Sequence, residues 1–413
     1  MTSFQLVVAG GGPAGLFCAL QTAKKGIRVL LLEKKSSCGK KLLITGSGQC
    51  NLTHDGDIPS FLTHYGDNGK FLKPSLLNFT NQNLIAFFEK HGIVMEHEPG
   101  GKIFPASRKV RDILDILLDE CALAGVDIHC DEPVQSLDKT EDGFCIRTGT
   151  GEYLADAVVI ATGGITYPQT GSTGDGFFLA TELGHPVTDA GPALTGVFIK
   201  NYPFAELSGM SFADRTISLF RDGKKVRSHT GDLLFTHTGL SGPGILDFSR
   251  YIRPGDTLKI SLVDDSDPVS CKNAMIQMMA EGKGRQVKTA LAGFDLPDRL
   301  VRSLLEIAGI DHELTASHLS KKDRNSLLEL ITAFPFVVDQ LMGTGEAMVT
   351  RGGASIEAIN QKTMESRAVS GLFFAGEVID IDGDCGGYNL QAAFSTGALA
   401  AEGVNRFLEK NQK

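Results

Sequence analysis

Between Phe4 and Glu33 the chain passes through an apolar stretch, a glycine turn, a helix-length segment, a second apolar stretch and an acid. No other segment constrains the fold as strongly. It reads Phe4-Gln-Leu-Val-Val-Ala9, then Gly10-Gly-Gly12-Pro13-Ala14-Gly15, and later Ile27-Arg-Val-Leu-Leu-Leu-Glu33. Leu6 to Ala9 is apolar without alternation, as in a strand buried on both faces. Gly10 permits a tight turn, and Gly12 lets the backbone approach a pyrophosphate. Gly15 lets the next helix pack closely on the sheet. The free N–H groups of the helix start, and its dipole, favour an anion. Gly26 follows Lys24 and Lys25 in the capping position. Glu33, 18 residues beyond Gly15, can accept hydrogen bonds from both ribose hydroxyls and would repel a 2′-phosphate. The unit is a socket for the ADP half of a dinucleotide, with NAD and FAD both open at this point.

The 413 residues exceed one simple core, so two or three domains are expected. A net charge of −9 argues against nucleic acid as the main partner. The eight cysteines, Cys18, Cys38, Cys50, Cys121, Cys130, Cys145, Cys271 and Cys385, form no C-x-x-C and no zinc spacing. They read as reduced, mostly buried cytosolic cysteines, and no metal site is expected. There is no signal-peptide pattern and no apolar run of the roughly 20 residues that span a bilayer. The cytoplasm is the expected location, with no membrane partner.

The hydrophobic pattern gives helices near 83–90 and 109–123, and strands near 126–130, 143–148, 152–154 and 157–161. After residue 190 several short strands follow, near 196–199, 216–220, 233–236 and 257–262, as in a small antiparallel sheet or barrel. Residues 267–333 read mainly helical. The Met275-Met278-Met279 stripe there reads as packing, and Lys321 to Arg324 as a solvated face. The economical division is a Rossmann-like domain, 1–190 plus 336–413, a β-barrel-like insert, 191–265, and a helical subdomain, 266–335.

Three later segments favour FAD over NAD. Val158-Val-Ile-Ala161-Thr162-Gly163-Gly164 is an apolar strand ending in Ala-Thr-Gly, as in two-dinucleotide-binding flavoproteins. Leu372-Phe-Phe-Ala-Gly376-Glu377 matches their late strand, whose usual Asp bonds the ribityl chain; Glu377 is one methylene longer. Gly386-Gly387-Tyr388-Asn389-Leu390 opens a small-residue helix with free N–H groups. No second strand–GxGxxG–helix unit follows, since Gly343-Thr-Gly345 lacks the third glycine. NADH or NADPH would therefore act as a transient donor, or electrons come from an organic substrate.

With these segments in hand, the chain resembles a family of bacterial flavoproteins that includes aminoacetone oxidase and bile-acid ring reductases. The matching runs are GKKLLITGSGQCNLT at 39–53, GKIFPAS at 101–107, ATGGITYPQTGSTGDG at 161–176 and LFTHTGLSGP at 234–243. VTRGG at 349–353, TMES at 363–366 and FAGEVIDIDGDCGGYNLQ at 374–391 complete them. Gln49 stands where the family usually has Arg. The resemblance implies an α/β fold: a Rossmann-type FAD-binding domain with an inserted β-barrel-like domain and a small helical subdomain. It implies FAD contacts at Gly10, Gly12, Pro13, Ala14, Gly15, Glu33, Lys34, Lys40, Lys41, Gly48, Cys50, Asn51, Val134, Ala161, Thr162 and Gly163. Gly376, Glu377, Gly387, Tyr388, Asn389 and Leu390 continue the set. Val134 would hold adenine through its backbone, with Lys40 and Lys41 near phosphate or flavin oxygens.

FAD carries the hydride, and the protein supplies position and proton control. His237, in a loop rich in glycine and hydroxyls, either exchanges a proton or holds a turn of the insert. Arg351 either binds a substrate carboxylate or reduced-flavin charge, or makes a structural ion pair. Cys385 reads as a small residue beside the flavin glycines. Tyr167 and Tyr388 either line the pocket or pack, and His54 follows the Asn51 loop. The leading expectation is an FAD-dependent oxidoreductase moving hydride between flavin N5 and a small organic molecule. Alternatives are a flavin-dependent RNA-modifying protein and a non-catalytic FAD redox sensor.

Overall fold

A computed structural model describes residues 2–411 except 264–267, 283, 292–293 and 295. The chain divides into two compact units, Met1–Ala193 with Thr344–Lys413, and Leu194–Gly343. Among the described residues no helix is long and apolar enough to cross a membrane.

The first unit is built on β1 (Thr2–Ala9) and β2 (Val29–Leu32), joined through the helix Pro13–Ala23. A small antiparallel sheet follows: β3 (Thr53–His54), β4 (Met95–His97) and β5 (Lys102–Pro105). The chain returns to the main sheet with β6 (Asp127–His129), β7 (Val134–Lys139), β8 (Phe144–Thr148) and β9 (Glu152–Ile160), and leaves through β10 (Val187–Ala193). The order is β6-β2-β1-β9-β8-β7. β1 runs parallel to both β2 and β9, which sets Ala9 beside Leu32 and Ile160. The runs expected at 152–154 and 157–161 are one strand. It lies parallel to β1 from Tyr153 to Ile160, and its first half also pairs antiparallel with β8. Leu6, Val7, Val8, Leu30 and Leu31 are fully buried, which is why these strands read as unbroken apolar runs.

The second unit is a closed barrel with helices inserted between its last two strands. β11 (Val197–Ile199), β12 (Ser211–Arg221), β13 (Lys224–Phe235), β14 (Gly239–Ser241), β15 (Thr257–Ile260) and β16 (Phe334–Leu341) close in the order β11-β14-β13-β12-β15-β16. The helices Pro268–Glu281, Val287–Ala290, Asp298–Ala308 and Lys321–Thr332 lie between β15 and β16. Inside, the Phe204 and Phe235 rings stack 5.0 Å apart, with Phe334 and Phe336 against them. β16 differs from the expected boundary, which placed residues 336–343 with the Rossmann-like domain. Phe334, Phe336 and Val338 alternate inward, so the segment belongs to the barrel that it closes. The boundary expected at 265–266 lies outside the described residues.

The chain then re-enters the first unit. β17 (Val349–Ala354) pairs with β10, and β18 (Leu372–Phe374) runs parallel to β9. The helix Tyr388–Asn411 packs its Phe394 ring 5.3 Å from Phe17 of the first helix. The end of the chain thus completes the sheet that its beginning started.

Candidate active site

The glycine turn lies where the parallel strands end. Gly10 has φ +111°, and a Cβ there would stand 2.5 Å from the Ala161 carbonyl oxygen. A Cβ on Gly15 would stand 2.0 Å from the Gly10 carbonyl oxygen, so Gly15 is fixed by the turn itself. Gly12 differs from both. Its φ is −79°, which any residue tolerates, and no atom lies within 4 Å of its missing Cβ. Pro13 occupies the first helical turn, where its missing N–H costs nothing.

Glu33 is already engaged. Its carboxylate accepts the Gly11 N–H at 2.8 Å and the Lys35 N–H at 2.7 Å, which pins the turn to the end of β2. Each oxygen retains a second acceptor site for a ribose hydroxyl. The Glu132 N–H donates to the Glu33 carbonyl at 2.9 Å, bringing the main chain before Val134 alongside. Burial pushes the Glu132 carboxyl up. Donors from Thr150, Thr148, Tyr153 and His129 outweigh that and hold it below the usual range. The Lys34 ammonium is held by Asp175 at 2.6 Å.

The residues expected at the flavin end meet one another. The Lys41 ammonium lies 2.7 Å from Glu377 and 2.7 Å from the Thr166 hydroxyl. Glu377 also accepts the Thr350 N–H at 3.0 Å, and the Thr350 hydroxyl accepts the Ile165 N–H at 2.8 Å. Thr166 and Thr350 are fully buried. Both stand in motifs quoted above, but no local pattern distinguishes them from their neighbours. Lys40 is half-buried beside Lys41, and Gly48 has φ +87° with open space at its missing Cβ.

Asn51 joins the 39–53 loop to the final turn, donating to the Thr53 carbonyl at 3.1 Å and accepting the Gly387 N–H at 3.2 Å. Gly387 has φ +96°, and a Cβ there would stand 2.4 Å from the Thr53 carbonyl oxygen. The Asn389 side chain brackets Gly383, accepting its N–H at 2.8 Å and donating to its carbonyl at 2.9 Å. Asn389 therefore shapes the turn with its side chain and leaves backbone groups for a ligand. Tyr388 is buried, with its ring 4.2 Å from that of His64 and 4.9 Å from that of His54. Leu390 follows, half-buried, in the same helix. Burial pushes the Cys50 thiol up to about 12.

Gly376 and Gly397 bring the last segment against the first turn. A Cβ on Gly376 would stand 2.8 Å from the Ala14 Cβ, and one on Gly397 2.6 Å from the Ala14 carbonyl oxygen. On the other side Ala161 donates its N–H to the Ala9 carbonyl at 2.8 Å. Gly163, at φ +74°, leaves room for the Ser172 hydroxyl. The Thr162 hydroxyl is buried with no hydrogen-bond partner. Thr162 adjoins the turn, since a Cβ on Gly10 would stand 2.9 Å from its Cα. The open space at Gly12, at the start of the first helix, fits FAD with its pyrophosphate there.

The two residues expected to carry proton chemistry lie in different units. Arg351, on β17 opposite Gly191, lays its guanidinium across that glycine. Its Nε is buried without a hydrogen-bond partner. Its neighbour Thr350, on the opposite face of the strand, is the one that joins Glu377. His237 is exposed in the turn between β13 and β14. That turn is held by the Thr236 hydroxyl, which accepts the Gly239 N–H at 3.1 Å. Tyr167, at φ +52°, donates its N–H to the Thr344 carbonyl at 2.9 Å. Cys385 and Cys130 are half-buried, and the other described cysteines are buried. The side chain of Cys271 lies outside the described residues.

Comparison with known proteins agrees with this architecture. The chain is 32% identical over 403 residues to a ribosomal RNA dihydrouridine synthase of Escherichia coli (strain K12), covering 97% of this chain and 98% of that protein. It is 31% identical to a protein of the same name from Haemophilus influenzae, covering 97% and 98%. It is 29% identical to a 3-dehydro-bile acid delta(4,6)-reductase of Clostridium scindens, covering 95% and 97%. Among solved structures it resembles the 3-ketosteroid-delta4-(5alpha)-dehydrogenase of Rhodococcus jostii RHA1, with TM-score 0.52 and 17% identity over 98% of this chain and 97% of that one. A flavocytochrome c3 fumarate reductase gives TM-score 0.51 and 17% identity over 98% and 78%. At such identity these two establish the fold alone. The family profile described as the HI0933-like protein Rossmann domain matches residues 4–403, so the chain belongs to the HI0933-like family and is an FAD-dependent oxidoreductase.

Proposed function

We propose that this enzyme reduces a carbon–carbon double bond conjugated to a carbonyl, and that its substrate is a uracil base of ribosomal RNA. The observation that carries the reading is the pair of full-length relatives, at 32% and 31% identity, named ribosomal RNA dihydrouridine synthase. Dihydrouridine is uridine with its ring C5=C6 bond saturated, and that bond is conjugated to the C4 carbonyl. A 3-dehydro delta(4,6) bile acid, named for the third relative, is likewise a conjugated ketone. One reaction class covers both: hydride adds at the carbon of the conjugated double bond farther from the carbonyl, and a proton adds at the nearer one.

Bound FAD supplies the hydride from N5 of its reduced ring. The chain's own residues bind and orient. The glycine turn and the start of the first helix would hold the pyrophosphate. Gly11 and Lys35 fix Glu33, which would meet the ribose. Lys41, Thr166 and Thr350 fix Glu377, which would meet the ribityl chain. The N-terminal end of the helix Tyr388–Asn411 offers N–H groups and a positive dipole end to a ring carbonyl. His237 and Arg351 remain our candidates for the proton and for anionic substrate groups, and NADH or NADPH for the electron donor.

A second reading, a free cyclic enone as substrate, is favoured by the net charge of −9. Nucleoside mass spectrometry of ribosomal RNA, from cells with and without the gene, separates the two. Loss of dihydrouridine on deletion, restored by the intact gene, is the expected result. Unchanged dihydrouridine, with NAD(P)H-reduced flavin reoxidised anaerobically by a cyclic enone, would replace the RNA reading with the second.

A further inference from the structure

The acidity of this chain is unevenly placed. Between Leu194 and Gly343 there are eighteen Lys and Arg and eighteen Asp and Glu, so the net charge of −9 lies wholly on the FAD-binding unit. Within the neutral unit, the β12–β13 hairpin carries an excess of cations at one end. Residues 224–228 are all exposed, although they form a strand, so both faces of β13 meet solvent there, while Leu219 of the paired strand stays buried.

Its outward face has a defined composition. Thr216 pairs with Thr230, Ser218 with Ser228, and Phe220 with Lys225. β15 adds Lys259 beside Ser218 and Thr257 beside Phe220. The Lys259 ammonium lies 5.0 Å from the centre of the half-buried Phe220 ring. Around the strand edge the Arg227 guanidinium lies 3.8 Å from the centre of the Tyr251 ring. The neighbouring carboxylates are mostly accounted for. Asp256 pairs with Arg221 at 2.8 Å, and Asp232 accepts the Asp214 N–H at 3.0 Å at the far end of the hairpin. Asp222 is in the turn, and Asp339 stands on the exposed side of β16. Lys224, Lys225 and Lys259 make no ion pair among the described residues.

We propose that this hairpin face binds single-stranded RNA, with Lys224, Lys225 and Lys259 on phosphates, the Ser and Thr rows on phosphate and 2′-hydroxyl oxygens, and Phe220 against a base. The proposal rests on the RNA reading of the substrate and names the surface that reading requires. Cations set affinity and salt dependence, hydroxyls fix register, and an aromatic ring stacks on any base. A steroid-sized enone needs none of these at an exposed strand end.

The test uses the full-length FAD-loaded protein and a fluorescein-labelled single-stranded RNA oligonucleotide, with anisotropy measured across a salt series. The expected result is binding that weakens with salt. The pair Lys225→Glu and Lys259→Glu should bind at least tenfold more weakly, with a shallower salt slope and an unchanged flavin spectrum. The pair Lys321→Glu and Lys322→Glu, at exposed positions on a helix of the same unit, should bind within twofold of the parent. The proposal is overturned if the parent does not bind, if the hairpin pair binds like the parent, or if both pairs lose equally. Dihydrouridine content, measured in parallel, keeps the two ideas apart. Normal dihydrouridine with hairpin-independent binding sinks only the surface. Hairpin-dependent binding with no dihydrouridine formed sinks only the reaction.

Discussion

The ammonium of Lys41 lies 2.7 Å from the carboxylate of Glu377, 336 positions later in the chain. Each side chain is a little over one-fifth exposed, and Thr166 and Thr350 supply the remaining bonds. Removing one partner leaves the other partly buried and unpaired. Lys41→Met and Glu377→Gln should each destabilise the apoprotein by about 1–2 kcal/mol, and the double variant by less than their sum. Urea denaturation of the four proteins measures the coupling, and strict additivity would rule out a working pair.

Two glycines of the opening turn should respond in opposite ways to the same substitution. Gly12→Ala places a methyl in open space at an ordinary φ, so the apoprotein should keep its stability or gain roughly 0.4–1 kcal/mol. FAD affinity should fall by roughly tenfold or more, because the methyl stands where the pyrophosphate approaches. Gly15→Ala drives a methyl to 2.0 Å from the Gly10 carbonyl oxygen and should destabilise the fold by about 1–3 kcal/mol or more. Denaturation of the apoprotein and FAD titration of each variant check both signs.

Acid should weaken the protein in two windows. Burial holds the His185 imidazole below its ordinary range; its Nδ1 lies 2.9 Å from the Ser366 hydroxyl and its Nε2 is buried without a partner. The unfolded chain takes up that proton first, so stability falls as pH drops below about 6.5 toward the lower folded value. Glu132 acts lower down. Its contribution is complete above the unfolded value near 4.3 and is lost as pH falls through the depressed folded one. Midpoints of urea unfolding between about pH 7.5 and 4 should show the first loss, and His185→Gln should flatten it. An unaltered slope in that variant would contradict the assignment.

Thiol reactivity should follow burial. Cys18, Cys50 and Cys121 are buried, and burial raises each thiol to about 12. Iodoacetamide on the native protein should therefore modify the half-buried Cys130 and Cys385 before Cys18, Cys50 and Cys121. Mass spectrometry of timed digests reads the order, and early labelling at Cys50 would contradict the burial of the 39–53 loop.

Much of the fold was legible because it is written locally. The strand–turn–helix of residues 4–33 carries its own punctuation, and the barrel strands alternate as half-buried strands must. β16 was missed because its alternation follows directly on a helix, with only Ala333 between Thr332 and Phe334. The site was legible as motifs and illegible as contacts. Lys41 and Glu377 were both expected near FAD, yet nothing in spacing shows that they hold each other. Glu33 was expected at the ribose, and its bonds to the Gly11 and Lys35 N–H groups come from how the turn folds back. In Thr350-Arg351 the charged residue drew attention, while strand geometry gave the network to its neighbour.

Gly376 and Gly397, which bring the last segment against Ala14, also set a timetable. The opening turn is synthesised well before β18 and the helix Tyr388–Asn411, which complete its surroundings. The barrel unit is continuous in sequence and is finished earlier. At roughly 5–20 residues per second, synthesis takes tens of seconds. Until residue 376 has been added the surroundings of the turn are incomplete, and a chain cut short before it lacks that side of the cradle expected to hold FAD.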